Sequence, residues 1–370
     1  MKKLRFQKWQ FLLAAILVLT LVFTSCSSIK KKSWADNFII DQKFSDFADQ
    51  VDLYLNANQF QGAVLVGLNE DIIFAKGYGP CDKNASQMLP ITINTTFEIG
   101  SITKQMTAAA VMQLVEKKKI RLDDTLSKFF PDYEPGDKIT IQMLLNMRSG
   151  LLDHINAADD FFPKNIYRHI EKEQIACHPL EEDTVLTYFY TAPLLATPDS
   201  TYFYSNTNYY LLAKIIEMVS GQSYYDYIKK NIFKPCGMTH SNLEFQNTQT
   251  RGYDYRDRYY SIPAELAFGC GDVNSCVTDL FKWNVQFFGG KVVSKKSLKK
   301  MLDAESYGFG LYCKDGLYFH AGTTNVFNAY DSYSSDEKLS IIVLTNRPIS
   351  ECNATFISGK ILKIYKNSNK

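Results

Sequence analysis

Apolar and polar positions alternate with two different periods along this 370-residue chain. "FSDFADQVDLYLNAN", from Phe44, has the spacing of an amphipathic helix. "GAVLVGLNEDIIFAKGYG" follows as two apolar runs around an Asn69-Glu70-Asp71 turn, which predicts a pair of strands. From about Ser101 the period becomes helical, with Met106, Ala109, Ala110, Val111, Leu114 and Val115 on repeating positions. A second helical segment, "TIQMLLNM", ends at Arg148-Ser149-Gly150. Residues 155–200 are polar, punctuated by proline, and read as helix or loop. "NYYLLAKIIEMVSG" is a strong helix stopped by Gly221. Near the end, "GFGLYCKDGLYFHAG", "NAYDSYSSDE" and "LSIIVLTNR" predict successive antiparallel strands joined at Asp-Gly and Ser-Asp-Glu turns, and a last helix begins near Thr355. Strands at both ends with helices between them predict an α+β fold: one antiparallel sheet built from distant parts of the chain, flanked by helices, with a mostly helical subdomain on one side.

The first 25 residues follow neither period. Lys2, Lys3, Arg5 and Lys8 precede an apolar run from Phe11 to Phe23 broken only by Thr20, and "FTSC" closes it. This is the layout of an export signal. The run is shorter than the roughly 20 residues a membrane-spanning helix needs. Its small-small-Cys ending resembles the lipobox of bacterial lipoproteins, which implies acylation of Cys26, although Phe23 stands where Leu is usual. The chain therefore divides into a signal (1–25), a tether (26–36) and one large domain (37–370), outside the cytoplasm and held to a bacterial membrane in the cell envelope. An uncleaved short anchor is the alternative.

Loss of the signal removes four basic residues and no acidic ones, taking the formal charge from +2 to −2. A chain so near neutrality carries no basic footprint for nucleic acid. Lys30–Lys32, just after Cys26, suit contact with anionic head groups or a solvated tether. Seven cysteines remain besides Cys26 (Cys81, Cys177, Cys236, Cys270, Cys276, Cys313 and Cys352), an odd number that leaves at least one thiol unpaired. Cys270 and Cys276 are a conceivable pair, but no bridge between them is expected. The cysteines show no metal-ligand spacing and H-E-x-x-H is absent, so no metal site is expected.

Ser101 and Lys104 form an S-x-x-K pattern, weak by itself because it recurs at Ser27, Ser28, Ser297 and Ser335. Only Ser101 follows a glycine and opens an apolar helix. A serine in a first helical turn exposes its own backbone N–H as an unpaired donor, and the helix dipole favours negative charge there. One turn on, the Lys104 amine can reach the serine hydroxyl, and a buried lysine with depressed pKa can take its proton. Helix capping by Ser101 is the competing reading, of equal weight on these residues alone. Tyr204-Ser205-Asn206 lies just before a strong helix, and His320-Ala321-Gly322 is the single H-x-G, on an expected strand where glycine lets the substrate backbone approach closely.

Together these three motifs, about 100 and 115 residues apart, resemble the serine β-lactamase-related superfamily, in the branch of class C β-lactamases, D-alanyl-D-alanine carboxypeptidases, D-aminopeptidases and related esterases. "FEIGSITKQMTAAAVMQLVE", "LDDTLSKFFPDY", "ITIQMLLNMRSGL" and "YSNTNYYLLAKIIEMVSGQSYYDYIKKNIFKPCGMTHS" carry the likeness, which runs over about residues 40–365. The resemblance implies Ser101 as acylated nucleophile, Lys104 taking or relaying its proton, and Tyr204 as general base and later leaving-group acid. It implies that Asn206 holds the substrate amide, that His320 and Gly322 line the substrate strand, and that Ser101 and Thr323 supply the oxyanion N–H groups. No cofactor is implied. The partner is a small-molecule or peptide substrate, peptidoglycan stem peptides among them.

One departure matters. β-Lactamases of this branch usually carry Lys-Thr-Gly where this chain has His320-Ala321-Gly322. A histidine is mostly neutral at pH 7, and Ala321 lacks a hydroxyl, so the hold on a β-lactam carboxylate is weakened. The expectation is a D-amino-acid peptidase, carboxypeptidase or esterase rather than an efficient β-lactamase, with a non-catalytic binding or sensing lipoprotein as the rival. Tyr253–Tyr260 read as aromatic strands, Glu181-Glu182 as a solvated loop, the Gly269–Gly271 segment as structural, and His154, His169, His178 and His240 as surface or capping residues.

Overall fold

The computed structural model describes residues 38–156, 183–244, 248–253, 264–324, 326–348 and 353–368. The signal, Cys26, the tether, Cys177, Cys352, His169, His178, Glu181, Glu182 and 254–260 lie outside them.

Seven strands form one antiparallel sheet in the order β1-β3-β2-β9-β8-β7-β6. They are β1 (Phe38–Ile40), β2 (Gly62–Leu68), β3 (Asp71–Tyr78), β6 (Tyr312–Lys314), β7 (Leu317–Thr324), β8 (Phe327–Ser334) and β9 (Leu339–Thr345). A two-stranded ribbon pairs β4 (Phe97–Glu98) with β5 (Asn274–Ser275). The Asn69 and Asp315-Gly316 turns adopt positive φ, as tight hairpins with right-handed twist require.

The central strands are apolar throughout because both their faces are covered. Val64, Val66, Ile341 and Val343 point to one core, Ala63, Leu65, Ile342 and Leu344 to the other. The first core is closed by α1 (Ser45–Ala57), through Phe47, Val51 and Leu55, and by the C-terminal helix Ala354–Ser368, through Ile357 and Ile361. The second belongs to the helices between the ribbon strands and β6: α2 (Thr103–Glu116), α3 (Ile141–Leu145), α4 (Asp183–Thr191), α5 (Asn206–Ser220), α6 (Tyr224–Ile228) and α7 (Val277–Phe288). α2 is buried nearly all round, against α5 and α6. Gly221 ends α5 in the left-handed conformation, φ 70°. This is the α+β plan expected, with one sheet joined from both ends of the chain. Among the described residues no helix is long and apolar enough to cross a membrane.

Cys270 and Cys276 are both free, as are Cys81, Cys236 and Cys313, all of them buried. One expectation needs correction: His154 is neither surface nor cap. It is 3% exposed, with Nδ1 3.1 Å from Thr207 Oγ1 and Nε2 2.9 Å from the Leu266 carbonyl, and burial pushes its pKa down. An imidazole so enclosed serves packing, in its neutral form.

Candidate active site

The ribbon β4–β5 carries two loops to one place. Ile99 N–H donates to the Val273 carbonyl (3.1 Å) and Val273 N–H to Thr103 Oγ1 (3.2 Å), so the turn at Ser101 and the Gly269–Asp272 loop lie side by side. Gly269 has a φ of +68°, and a Cβ there would stand 2.3 Å from Ala213 Cβ on α5. That glycine lets the loop press against the helix, and the contact turns the Cys270 carbonyl inward.

Ser101 sits in a single 3-10 turn, Gly100–Ile102, immediately before α2. Its side chain caps nothing. The hydroxyl lies 2.9 Å from Lys104 Nζ and 2.9 Å from the Tyr204 hydroxyl, which donates to it. The two expected partners, one a helical turn away and the other about 100 residues on, converge on one oxygen.

Lys104 has no solvent exposure. Its amine faces three oxygens: Ser101 Oγ, Asn206 Oδ1 at 2.7 Å and the Cys270 carbonyl at 2.7 Å. Burial pulls its pKa down to about 8, against the opposing pull of Cys270 and of the Asp153 and Asp272 carboxylates. A fraction of the amine is therefore neutral near pH 7. In that form it has a lone pair, and Ser101 is the one partner of the three with a proton to give. Tyr204 differs. Desolvation pushes its phenol well above the ordinary value, with the Ser101 hydrogen bond opposing. The hydroxyl is thus a proton donor at rest, although Lys104 Nζ lies 5.0 Å from the centre of its ring.

Asn206, the first residue of α5, has both ends of its amide engaged. Oδ1 accepts from Lys104, while Nδ2 donates to Asp153 Oδ1 (3.1 Å) and Oδ2 (3.0 Å). An acceptor facing an amine and a donor facing a carboxylate fix which way the amide points. Asn206 still lines the cleft.

Strand β7 closes the far side. A Cβ on Gly322 would come within 1.9 Å of the Ile99 carbonyl and 3.2 Å of Ser101 N, and one on Gly100 within 2.8 Å of Thr323 N. Both glycines are needed for the strand to lie against the turn, and their contact brings the backbone nitrogens of Ser101 and Thr323 together at one end of the cleft. As a first-turn residue Ser101 has no intrahelical acceptor for its N–H. Two backbone N–H groups close to the Ser101 hydroxyl have the placement to receive a developing oxyanion.

His320 is placed behind this wall. It is 2% exposed; Nδ1 lies 2.6 Å from the Ala321 carbonyl, an acceptor only, so that nitrogen carries the proton and Nε2 accepts from Tyr307 OH at 3.2 Å. Burial and the neighbouring Lys104 take its pKa down to about 3. The ring is a neutral strut among Tyr204, Tyr307 and Tyr312. The cleft, about 450 Å³, is lined by Ser101, Tyr204, Asn206, Ala321 and Thr323, joined by Asn156 and Gly271.

Sequence reasoning passed over Asp153 and Asp272. Asp272 is buried with one carboxylate oxygen unpartnered, and desolvation pushes it up to about 7. A signal for Asp153 existed: an acid placed directly after the apolar pair Leu151-Leu152. Of the other S-x-x-K serines, Ser297 lies on the helix Lys295–Leu302 and Ser335 in the β8–β9 turn. Among the described residues one trio has metal-ligand geometry, His240, Cys276 and Asp279. Asp279 is already occupied there by His240 N–H, Ser241 and, at 2.8 Å, the Lys282 ammonium.

Comparison with known proteins agrees with this geometry. The Beta-lactamase family model matches residues 41–357. PbpX of Bacillus subtilis, which bears the name of a penicillin-binding protein, is 30% identical over 316 residues, spanning 82% of this chain and 75% of that protein. Teichoic acid D-alanine hydrolase of Staphylococcus aureus is 27% identical over 336 residues, 86% of this chain and 79% of its own. The octameric penicillin-binding protein homologue of Pyrococcus abyssi superposes with a TM-score of 0.72 at 27% identity, covering 87% of this chain and 77% of the other. With its fold, its clustered serine, lysine and tyrosine, and these relatives, the chain belongs to the β-lactamase family of serine hydrolases, among the penicillin-binding protein homologues.

Proposed function

We propose that the protein hydrolyses small D-amino-acid peptides, cell-wall stem peptides or esters through an acyl-enzyme on Ser101. The observation that carries this is the pair of 2.9 Å contacts, from Lys104 Nζ and Tyr204 OH, on one serine oxygen beside two converging backbone N–H groups. Neutral Lys104 takes the hydroxyl proton as Ser101 Oγ bonds to the substrate carbonyl carbon. The oxyanion is received by the N–H groups of Ser101 and Thr323. Tyr204, protonated at rest, gives its proton to the departing nitrogen or oxygen as that bond breaks, and Lys104 restores it. Water then attacks the ester by the reverse route. The names of two relatives support D-alanyl or penicillin-like acyl groups.

Ala321 and the uncharged, enclosed His320 support peptide or ester substrates over β-lactams, since neither offers a hydroxyl or a charge to a substrate carboxylate. Asn206 keeps a place at the cleft for the substrate amide, although its primary partners are Lys104 and Asp153. The sequence of residues 1–32 supports export, acylation of Cys26 and attachment to the membrane in the cell envelope.

The test is intact mass of the exported chain, with and without Ser101→Ala, during incubation with benzylpenicillin, D-alanyl amides and D-alanyl esters. A serine-dependent adduct, or serine-dependent turnover of the amides or esters, is expected. Rapid hydrolysis of the penicillin would make the protein a β-lactamase, and inertness toward all three would make it a binding module.

A further inference from the structure

Asp153 lies one residue behind the first layer of the site, and its surroundings are unusual for a loop acid. It is 5% exposed. Four donors converge on its carboxylate besides the Asn206 contact to the second oxygen: Ile155 N–H at 2.8 Å, Asn156 N–H at 3.2 Å and Asn156 Nδ2 at 2.9 Å hold it from its own loop, and Asn206 Nδ2 reaches it from α5. The loop bonds anchor the carboxylate; the α5 bond spends it on one amide. Without that acceptor, rotation of the Asn206 amide by half a turn would put an NH₂ against the Lys104 amine.

We propose that Asp153 is a positioning residue of the hydrolytic site: it fixes the Asn206 amide with its oxygen toward Lys104, and it supplies a buried negative charge facing that amine. This rests on the reading of Ser101 as nucleophile and Lys104 as base. The groups around Lys104 come from four elements. Tyr204 and Tyr209 flank it from the start of α5, Asp153 and His154 from the loop after α3, Cys270 and Asp272 from the glycine loop, and His320 from β7. Burial raises the tyrosines and the Cys270 thiol (up to about 12) and lowers both histidines, which favours the neutral form of each. Among side chains that carry a full charge, the two carboxylates are those that favour the ammonium form, beside the carbonyl oxygens of Asn206 and Cys270 that accept from it.

The consequence is a shift in pH dependence, which a merely structural acid would not produce. An alkyl fluorophosphonate serves as the probe because it needs no knowledge of the natural substrate. Ser101 Oγ bonds to phosphorus, fluoride leaves with the P–F electrons, and the hydroxyl proton passes to Lys104. The rate of mass gain rises with pH as Lys104 loses its proton. In Asp153→Asn the ammonium loses a stabilising charge, so the acidic limb is expected to move to lower pH by about 1 unit, while the limiting rate falls about 10- to 100-fold as Lys104 is less well held. Asp153 is not among the groups that shift Asp272, so a limb governed by Asp272 would stay in place.

A limb in the wild-type position, or one moved upward, overturns the proposal whatever the change in rate. Asp153→Ser removes the same charge and leaves an acceptor, and is expected to shift the limb likewise if Asp153→Asn does not fold. Failure of both to fold would make Asp153 a folding residue and overturn the positioning role. Failure of the wild-type chain to react at all would instead refute Ser101 as the nucleophile, an outcome separable from these because it needs no variant.

Discussion

On one face of the sheet α1 and the C-terminal helix cover a dry core in which Phe47, Val64, Phe74, Ile341 and Ile357 are almost wholly buried. On the other, α2 carries Lys104, Gln105 and Thr107 into the interior at 2% exposure or less, and Asn206, Asn208 and Asp272 are buried around them. Burial of aliphatic and aromatic groups stabilises in proportion to area and asks little of orientation. Buried polar groups stabilise only when each finds its partner, and the partners here are held at 2.7–3.1 Å. The same depth of burial thus produces stability on one face and reactivity on the other.

Substitutions can break or sharpen that contrast. The largest effect expected is from Ser101→Ala, which removes the proposed nucleophile: turnover should fall by about 10⁴ or more, while unfolding in urea changes by no more than about 0.5 kcal/mol. A large stability change would mean that the cleft face also holds the fold together. Phe47→Ala is the converse. It should cost about 3–5 kcal/mol of stability, seen as a lowered denaturation midpoint, and leave the fluorophosphonate rate per folded molecule unchanged.

Gly322→Ala crosses the divide, because a methyl group cannot occupy the space 1.9 Å from the Ile99 carbonyl. The strand must retreat from the Ser101 turn. We expect about 1–3 kcal/mol of destabilisation together with an acylation rate at least about 100-fold lower from loss of a paired oxyanion donor. Loss of stability with full activity would separate the oxyanion site from this contact.

Acid supplies a smaller effect without any substitution. With Lys104 as the proposed base and its pKa down to about 8, acylation should rise about tenfold from pH 6 to pH 7 and level off above about pH 8. A flat profile would remove Lys104 as the base. The smallest effect belongs to Lys76→Ala, which breaks a 2.6 Å ion pair with Asp52 whose side chains are 30% and 33% exposed. A pair so exposed is worth about 0.2–1 kcal/mol, measurable in urea and silent in activity.

Much of this was legible before folding. The apolar runs of β2 and β9 lack alternation because both faces of each strand are covered, and run length with flanking turns still identified them as strands. Ser101, Lys104, Tyr204 and the H-x-G strand were visible because each has a local signature: a helix start, a loop before a helix, a lone glycine in a strand. His320 was read as a substrate contact for want of its neighbours; nothing in "YFHAG" reveals that Tyr307 OH donates to it in the interior. His154 was misplaced for the same reason.

From the sequence alone came the element types, the antiparallel sheet joined from both ends, and the residues able to perform acyl transfer, since periodicity and short-range spacing are properties of neighbouring positions. The tertiary structure decided protonation and orientation. Whether Lys104 or Tyr204 is the base depends on what desolvates each, and what holds Asn206 in place is an aspartate 53 residues away. Such effects depend on distance in space and on the loss of water, and neither is written in the order of residues along the chain.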